Sequence, residues 1–225
     1  MDILLIGAPG AGKRTQAEQL SKVLGVRHLA SGDLFRKAFE ERTELGLKAQ
    51  SYVDLGELVP DEITIPMVFH HFEEPESQSG VLLDGFPRTL AQAEALDAEL
   101  QHIGRQIDLA IYLKVSREEV LGRLAGRLFC QANQHVYHLT FRPPHGAWVC
   151  DLDGSRLYQR ADDKGESMRR RLARFAYEIT EILDYYRKQH KLSEVDGNQS
   201  IEQVQKMLLA EVKSHLGKAP ETSKG

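Results

Sequence analysis

Residues 2–6, Asp-Ile-Leu-Leu-Ile, form a short apolar run closed by Gly7, the pattern of a strand covered on both faces of a parallel sheet. From Lys13 to Leu24 the apolar positions Ala17, Leu20, Val23 and Leu24 recur at helical spacing, so the chain opens strand, glycine loop, helix. A second apolar run at Val26–Ala30 leads to Ser31-Gly32-Asp33, where Ser31 or Asp33 is placed to cap a helix starting at Leu34. Pro60 precedes a helix predicted from Asp61 to Phe72. Gly80–Gly85 repeats the buried-strand pattern, and Thr89 starts an Ala/Leu-rich helix running to about His102. Leu109–Val115 reads as the fourth strand. Ser116 with Glu119 three positions later has the capping-box spacing, predicting a helix to about Leu128.

Residues 129–160 differ in kind. They hold short alternating runs such as Val136-Tyr137-His138-Leu139, the pair Pro143-Pro144, the only Trp, and the turn Asp151-Leu152-Asp153-Gly154, which together read as a small β-rich insertion. Helical periodicity returns from Glu166 to Arg187, a fifth strand fits Leu192–Val195, and Ile201, Val204, Leu208 and Val212 mark a last amphipathic helix. Strands alternating with helices predict an α/β fold with a parallel sheet, whose ligands bind at the carboxyl ends of the strands. The chain shows neither an internal repeat nor a low-complexity segment.

Composition narrows the function classes. The 225 residues are 41% hydrophobic and 28% charged, ordinary for a globular protein and unlike disordered, collagenous or coiled-coil chains. No run approaches the roughly 20 apolar residues of a bilayer-spanning helix. The start MDILLIGAPGAGK lacks the basic opening of a signal peptide, so a cytoplasmic location is expected. A net charge of −4 gives no bulk basic surface for nucleic acid. The arginines nevertheless crowd into 117–127 and 156–174, an arrangement that calls for a small polyanion between them.

Gly7-Ala8-Pro9-Gly10-Ala11-Gly12-Lys13-Arg14-Thr15 lies between the first strand and the first helix. There, glycines let backbone N–H groups converge on phosphate oxygens and the helix N-terminus adds its partial positive charge. Lys13 is placed to reach the β and γ phosphates and Thr15 to orient a magnesium shell, although Arg14 occupies the usual Ser/Thr place of a phosphate loop.

With Ser31-Gly32-Asp33-Leu34-Phe35-Arg36 and Asp84-Gly85-Phe86-Pro87-Arg88-Thr89 following in order, the sequence resembles the adenylate kinases of the long-lid bacterial type over about residues 1–216. The resemblance implies a phosphate-loop nucleoside monophosphate kinase fold with a five-stranded parallel sheet. Its core would be 1–29, 60–125 and 164–216, its AMP-binding lobe 30–59, its lid 126–163, and 217–225 a disordered tail. It implies a monomer that catalyses ATP + AMP ⇌ 2 ADP with Mg2+, acts in adenine nucleotide metabolism, and has no nucleic-acid or membrane partner.

Residue by residue, the resemblance assigns Lys13, Arg88, Arg123, Arg127, Arg160 and Arg171 to catalysis. An already ionised acceptor phosphate needs alignment and charge compensation rather than a general base, which suits such a set. The implied ATP contacts are Gly10, Ala11, Gly12, Lys13, Arg14, Thr15, Arg127, Val136, Tyr137 and Gln199, the last mainly through its backbone. The implied AMP contacts are Ser31, Arg36, Glu57, Leu58, Val59, Gly85, Phe86, Pro87, Arg88, Gln92, Arg160 and Arg171, with the Gln92 amide able to donate and accept along the purine edge. Thr15, Asp33 and Asp84 would surround magnesium. The family usually has glycine at position 14, so Arg14 either points to solvent, which is the expectation, or contacts the donor phosphates. Many members carry a second arginine after Arg127, where this chain has Leu128.

Cys130-x2-Asn133 and Cys150-x2-Asp153 have the spacing of a two-knuckle zinc site. Zinc-bearing relatives place a cysteine at the second position, and Asn133 is a poor ligand. Three readings stay open: zinc on Cys130, Cys150 and Asp153 with His135 or water as the fourth ligand; a metal-free lid tied by hydrogen bonds; or a Cys130–Cys150 disulfide. Rival functions are a kinase for UMP or CMP, whose lids are typically much shorter, a kinase using GTP as donor, and a nucleotide-dependent switch without transfer.

Overall fold

The computed structural model describes residues 1–54 and 57–216. The tail 217–225 lies outside the described residues. The chain runs β1 (Asp2–Ile6), α1 (Lys13–Leu24), β2 (Arg27–Ala30), α2 (Ser31–Glu40), α3 (Glu44–Asp54), α4 (Asp61–His70), β3 (Val81–Asp84), α5 (Leu90–His102), β4 (Ile107–Lys114) and α6 (Arg117–Ala125). It continues through β5 (Arg127–Cys130), β6 (Val136–His138), β7 (Leu157–Tyr158), α7 (Gly165–Lys188), β8 (Leu192–Asp196) and α8 (Ile201–Leu216).

Five strands form one parallel sheet in the order β2-β3-β1-β4-β8. β1 sits at its centre, Leu4 standing beside Leu83 of β3 and Ala110 of β4. The two-residue period of a strand assigns its side chains to opposite layers. Leu4 and Ile6 pack with Leu96 and Leu100 of α5 and Ile182 and Leu183 of α7, while Ile3 and Leu5 pack with Ala17 and Leu20 of α1 and Leu208 and Val212 of α8. Both faces are therefore covered, which is why the central strands read as unbroken apolar runs.

Asp2 clamps the opposite end of the sheet from the glycine loop. It is buried, accepts the Val81 N–H at 2.8 Å and the Arg105 Nε at 2.9 Å, and forms an ion pair with Arg105.

Two insertions leave this frame. Helices α2, α3 and α4, between β2 and β3, share a small core of Phe35, Ala49, Val59 and Ile63. Between α6 and α7, a three-stranded antiparallel sheet in the order β6-β5-β7 closes over Leu128, Cys130, Tyr137, Cys150 and Leu157.

Several boundaries differ from the sequence reading. The helix expected to begin at Leu34 begins at Ser31, and neither Ser31 nor Asp33 caps it; Ala30 holds the cap position without a side-chain hydrogen bond. Ser31 Oγ instead donates to Gly85 O at 2.8 Å, and Asp33 is taken by two arginines described below. The helix after Ser116 keeps its cap, with Ser116 Oγ accepting from the Glu119 N–H, but ends at Ala125 rather than about Leu128. Arg127–Cys130 is a strand because Phe129 and Cys130 find antiparallel partners in Val136, Tyr158 and Leu157. Helix α3 carries no strong signal in the sequence pattern. Among the described residues no helix is long and apolar enough to cross a membrane.

Candidate active site

The carboxyl ends of β1, β2 and β3 and the turn after β8 open into a cleft of about 760 Å3 that reaches from the glycine loop to both insertions. Gly10 and Gly12 turn the loop with φ of 86° and 94°, a region that L side chains rarely adopt. A Cβ on Gly10 would also lie 2.7 Å from Leu124 Cγ. The turn aims the first N–H groups of α1 into the cleft, and Lys13 Nζ folds back to donate to Gly7 O at 2.8 Å and Ala8 O at 3.1 Å. Burial lowers the Lys13 pKa to about 8; Asp84 opposes the shift, whereas Arg88, Arg127 and Arg171 reinforce it.

Asp84 ends β3 and faces the same space. Burial works against its ionisation, but His28, Lys13 and Arg14 hold its carboxyl below the usual range. His28 Nε2 stands 3.8 Å from Asp84 Oδ2, too far for a hydrogen bond. Arg88 is presented by Gly85, whose carbonyl accepts from Arg88 Nε at 2.7 Å. Solvent reaches its guanidinium, yet the surrounding walls and then Arg171 bring the Arg88 pKa down to about 10.

The remaining arginines are each held by a named acceptor. Arg123 donates to Glu119 Oε1 at 2.8 Å, Ala11 O at 3.0 Å and Gly197 O at 2.9 Å. Arg127 grips both oxygens of Asp163, and Arg171 reaches Asp162 at 2.8 Å and Asp163 at 3.1 Å. Arg160 lies 3.5 Å over the Phe129 ring and donates to Gln134 Oε1 at 2.9 Å. Desolvation, then Arg36 and Arg127, bring its pKa down to about 10. Cations that depress one another's pKa around one cleft form a pre-built seat for a polyanion.

Every nucleotide-contact residue named from the sequence lines this cleft, including Thr15, Ser31, Arg36, Glu57, Leu58, Val59, Phe86, Pro87, Val136 and Gln199. Three of them, and Asp33 of the expected magnesium shell, stand differently from expectation. Asp33 is absent from the cleft wall, because its Oδ1 accepts from Arg14 and Arg36. Arg14 does not run free into solvent but reaches Glu18 and Asp33. Gln92 is buried with its amide already engaged, accepting the Arg88 N–H at 2.7 Å and donating to Asp61 Oδ1 at 2.6 Å. Tyr137 turns its ring into the small sheet's core, where its hydroxyl accepts the Asp151 N–H at 2.9 Å. Leu128, at the place of the second lid arginine, is buried in that core.

The sequence reading missed the anions and acceptors that aim the cations, namely Asp163, Asp162, Glu119 and Gln134. No local pattern marks Asp163, Asp162 and Gln134, since each meets its arginine only through the fold; Glu119 stands four residues before Arg123 on α6, a spacing the sequence does offer.

In the small sheet, Cys130, His135, Cys150 and Asp153 offer four donor atoms within 4.8 Å of one another. His135 Nδ1 lies 3.4 Å from each sulfur and 3.2 Å from Asp153 Oδ2, and Cys130 Sγ lies 3.3 Å from that oxygen. Asn133 stays outside the quartet, its Nδ2 donating to Asp153 Oδ2 at 2.9 Å. Hydrogen bonds from Ser155, then Asn133, hold the Asp153 carboxyl well below the usual range.

A parallel sheet with a phosphate loop at its first strand, a lysine on that loop and an arginine-walled cleft between two insertions define a phosphotransferase of the nucleotide kinase class. The adenylate kinase family model matches residues 5–191, and the chain belongs to that family. An adenylate kinase of Staphylococcus aureus is 44% identical over 216 residues, 96% of this chain and 100% of the relative. One of Carboxydothermus hydrogenoformans is 46% identical over 218 residues, 97% and 100% of the two chains, and one of Staphylococcus epidermidis is 44% identical over 204 residues, 91% and 95%. The chain is thus an enzyme that converts ATP and AMP to two ADP.

Proposed function

We propose that the two nucleotides of this reaction lie end to end in the cleft, phosphates towards the middle. The convergence of Lys13, Arg88, Arg127 and Arg171 on one space carries this reading. The donor's phosphates take the loop N–H groups of Gly10, Ala11, Gly12, Lys13 and Arg14 together with Thr15, while the Arg14 guanidinium stays on Glu18 and Asp33. Its base lies against the backbone of Val136 and Tyr137 and near Gln199. The acceptor's base sits against Ser31, Glu57, Leu58, Val59, Gly85, Phe86, Pro87 and Gln92, and its phosphate meets Arg36, Arg88, Arg160 and Arg171.

Transfer between such phosphates is positional and electrostatic. Lys13 leaves its two loop carbonyls for the donor's phosphate oxygens, and the guanidiniums fork onto equatorial oxygens as charge spreads over them. The lobe 30–59 and the segment 126–163 move as two bodies on the core 1–29, 60–125 and 164–216, closing to exclude water so that transfer outruns hydrolysis.

Thr15 and Asp84 suit Mg2+, a hard cation that takes oxygen ligands, because one is a hydroxyl in the cleft wall and the other a carboxylate held ionised there. Asp33 fits less well, one oxygen being committed to two arginines. Held by Thr15 and Asp84, magnesium would supply positive charge against the charge that builds on the phosphates.

The lid quartet fits zinc. Tetrahedral Zn–S bonds of about 2.3 Å and Zn–N or Zn–O bonds of about 2.0 Å imply ligand–ligand edges of roughly 3.3–3.8 Å. The His135 and Asp153 spacings fall close to that, so His135 fills the fourth place in preference to water. Its role is structural, tying two turns of a lobe whose own core is five residues.

A coupled assay with ATP and magnesium, offering AMP, GMP, CMP and UMP in parallel, tests the nucleotide reading. Turnover with AMP alone, lost when magnesium is withheld, is the expected result; transfer to a pyrimidine acceptor refutes the acceptor-base assignment. Elemental analysis of the purified protein tests the lid, for which one zinc per chain is expected.

A further inference from the structure

Arg14 interrupts the phosphate loop's usual pattern and is held on two sides. Its Nε donates to Glu18 Oε1 at 3.0 Å, one turn along α1, and its Nη1 donates to Asp33 Oδ1 at 2.7 Å on α2. Arg36 Nη2 donates to that same Asp33 oxygen. One carboxylate oxygen thus carries two guanidiniums from two helices.

The two arginines are not equivalent. Arg14 has Glu18 as a second partner and stays on α1. Arg36 has no other hydrogen bond among the described residues, and its Nε is buried without a partner. Its guanidinium lies over Gly32, where a Cβ would stand 3.3 Å from Nη1, and it reaches the cleft wall, whereas Asp33 does not. Arg36 is the member of the triad that is free to move.

We propose that Arg14 is a positioning residue for the acceptor: it keeps Asp33 paired, so that Arg36 can exchange that carboxylate for the acceptor's phosphate. The inference rests on the reading that Arg36 binds the acceptor phosphate. Without Arg14, Arg36 would be the sole partner of Asp33, and its departure would leave an unpaired carboxylate beside an arriving phosphate dianion. Protonation offers little relief, because Arg14 and Arg36 outweigh burial and hold the Asp33 carboxyl below the usual range. Arg14 removes both costs, answering Asp33 before and after Arg36 moves.

Calorimetric titration of AMP into the full-length protein, without ATP or magnesium, reads this step apart from chemistry. Arg14→Ala is expected to raise the AMP Kd about five- to tenfold, the scale of a half-buried charge pair, and Arg14→Lys to stay within about twofold of the parent. In an Asp33→Asn background the loss should vanish, so that the double variant binds AMP as Asp33→Asn does. An unchanged Kd in Arg14→Ala overturns the proposal, as does a loss that persists undiminished beside Asp33→Asn. ATP affinity falling in parallel with AMP affinity would place Arg14 in the donor site and overturn it too. Arg36→Ala is the control: if AMP affinity is untouched, the reading of Arg36 as a phosphate ligand fails, whereas loss there with none in Arg14→Ala defeats the Arg14 inference alone. Arg14→Gln, which keeps the stem, gives the same reading should the alanine variant fold poorly.

Discussion

Arg127 and Asp163 meet in a two-point ion pair where the small sheet joins α7, Arg127 Nε donating to Asp163 Oδ2 at 2.8 Å and its Nη2 to Oδ1. Asp163 is 2% exposed and also holds Arg171 at 3.1 Å, so one buried carboxylate aims two of the cleft's arginines. Asp163→Asn keeps the volume but removes the charge that fixes both. Its kcat is expected to fall about tenfold or more, with AMP and ATP affinities less affected, because alignment rather than ground-state binding is lost. Steady-state kinetics with direct binding titrations check this; equal losses in kcat/KM and in affinity would point instead to a collapsed cleft.

Lys13→Met should lower kcat about 100- to 1000-fold, the usual size for losing one preorganised electrostatic contact to the reacting group. Because Lys13 is depressed to about 8 in the empty site, the free protein loses that ammonium as pH rises through 8. The kcat/KM for ATP is therefore expected to fall above about pH 8, while kcat holds to higher pH, since bound phosphates restore the proton. Stability moves the opposite way. The folded state binds fewer protons than the unfolded chain between about 8 and the lysine's ordinary value, so Lys13 becomes less destabilising as pH climbs through that window. A flat kcat/KM profile across pH 7–9.5 would contradict the assignment.

Gln92→Leu strands two partly buried partners, the Arg88 N–H and Asp61 Oδ1. Chemical denaturation is expected to show a loss of about 1–3 kcal/mol. The Phe86-Pro87-Arg88 turn would loosen with it, raising the KM for AMP and narrowing the preference for AMP over other acceptors. Unchanged acceptor selectivity would confine Gln92 to a structural role.

Asp2→Ala leaves Arg105 half-buried without its ion pair and the Val81 N–H without an acceptor, at the end of the sheet remote from the cleft. Thermal unfolding should show a loss of about 3–5 kcal/mol with kcat near the parent value, because no cleft residue depends on it. Impaired turnover at a temperature where the variant is folded would show coupling between the two ends of the sheet.

Removing a lid metal should act on local stability first. Chelation, or His135→Ala, is expected to lower the thermal midpoint and expose the small sheet to proteolysis near Cys150, since the lobe's core is five side chains, two of them the cysteines. A chain that contains no zinc as purified and melts identically with and without chelator would establish the hydrogen-bonded lid instead.

Much of this molecule is legible in its linear pattern. The apolar runs of β1, β3 and β4, the helix opening at Lys13 and the caps at Thr89 and Ser116 are written in residues within a few positions of one another. The glycine loop needs no partner to be recognised, because Gly10 and Gly12 announce the turn they make. The arginine set, too, can be read from spacing together with family resemblance.

What the pattern left open was decided by contacts between residues far apart in sequence. Arg127 could not be given Asp163, nor Arg14 its Asp33, until the sheet order β2-β3-β1-β4-β8 had set which loops face each other. At Arg127 and Leu128 a strand overrode the helical reading, because its antiparallel partners in β6 and β7 are out of reach of any local pattern. His135, five residues from Cys130, became the fourth donor only when a turn brought Cys150 and Asp153 beside it. Local chemistry fixes the elements, since periodicity and capping are short-range; the pairing of each charge is fixed by tertiary structure, since Coulomb attraction and hydrogen bonding depend on distances in space.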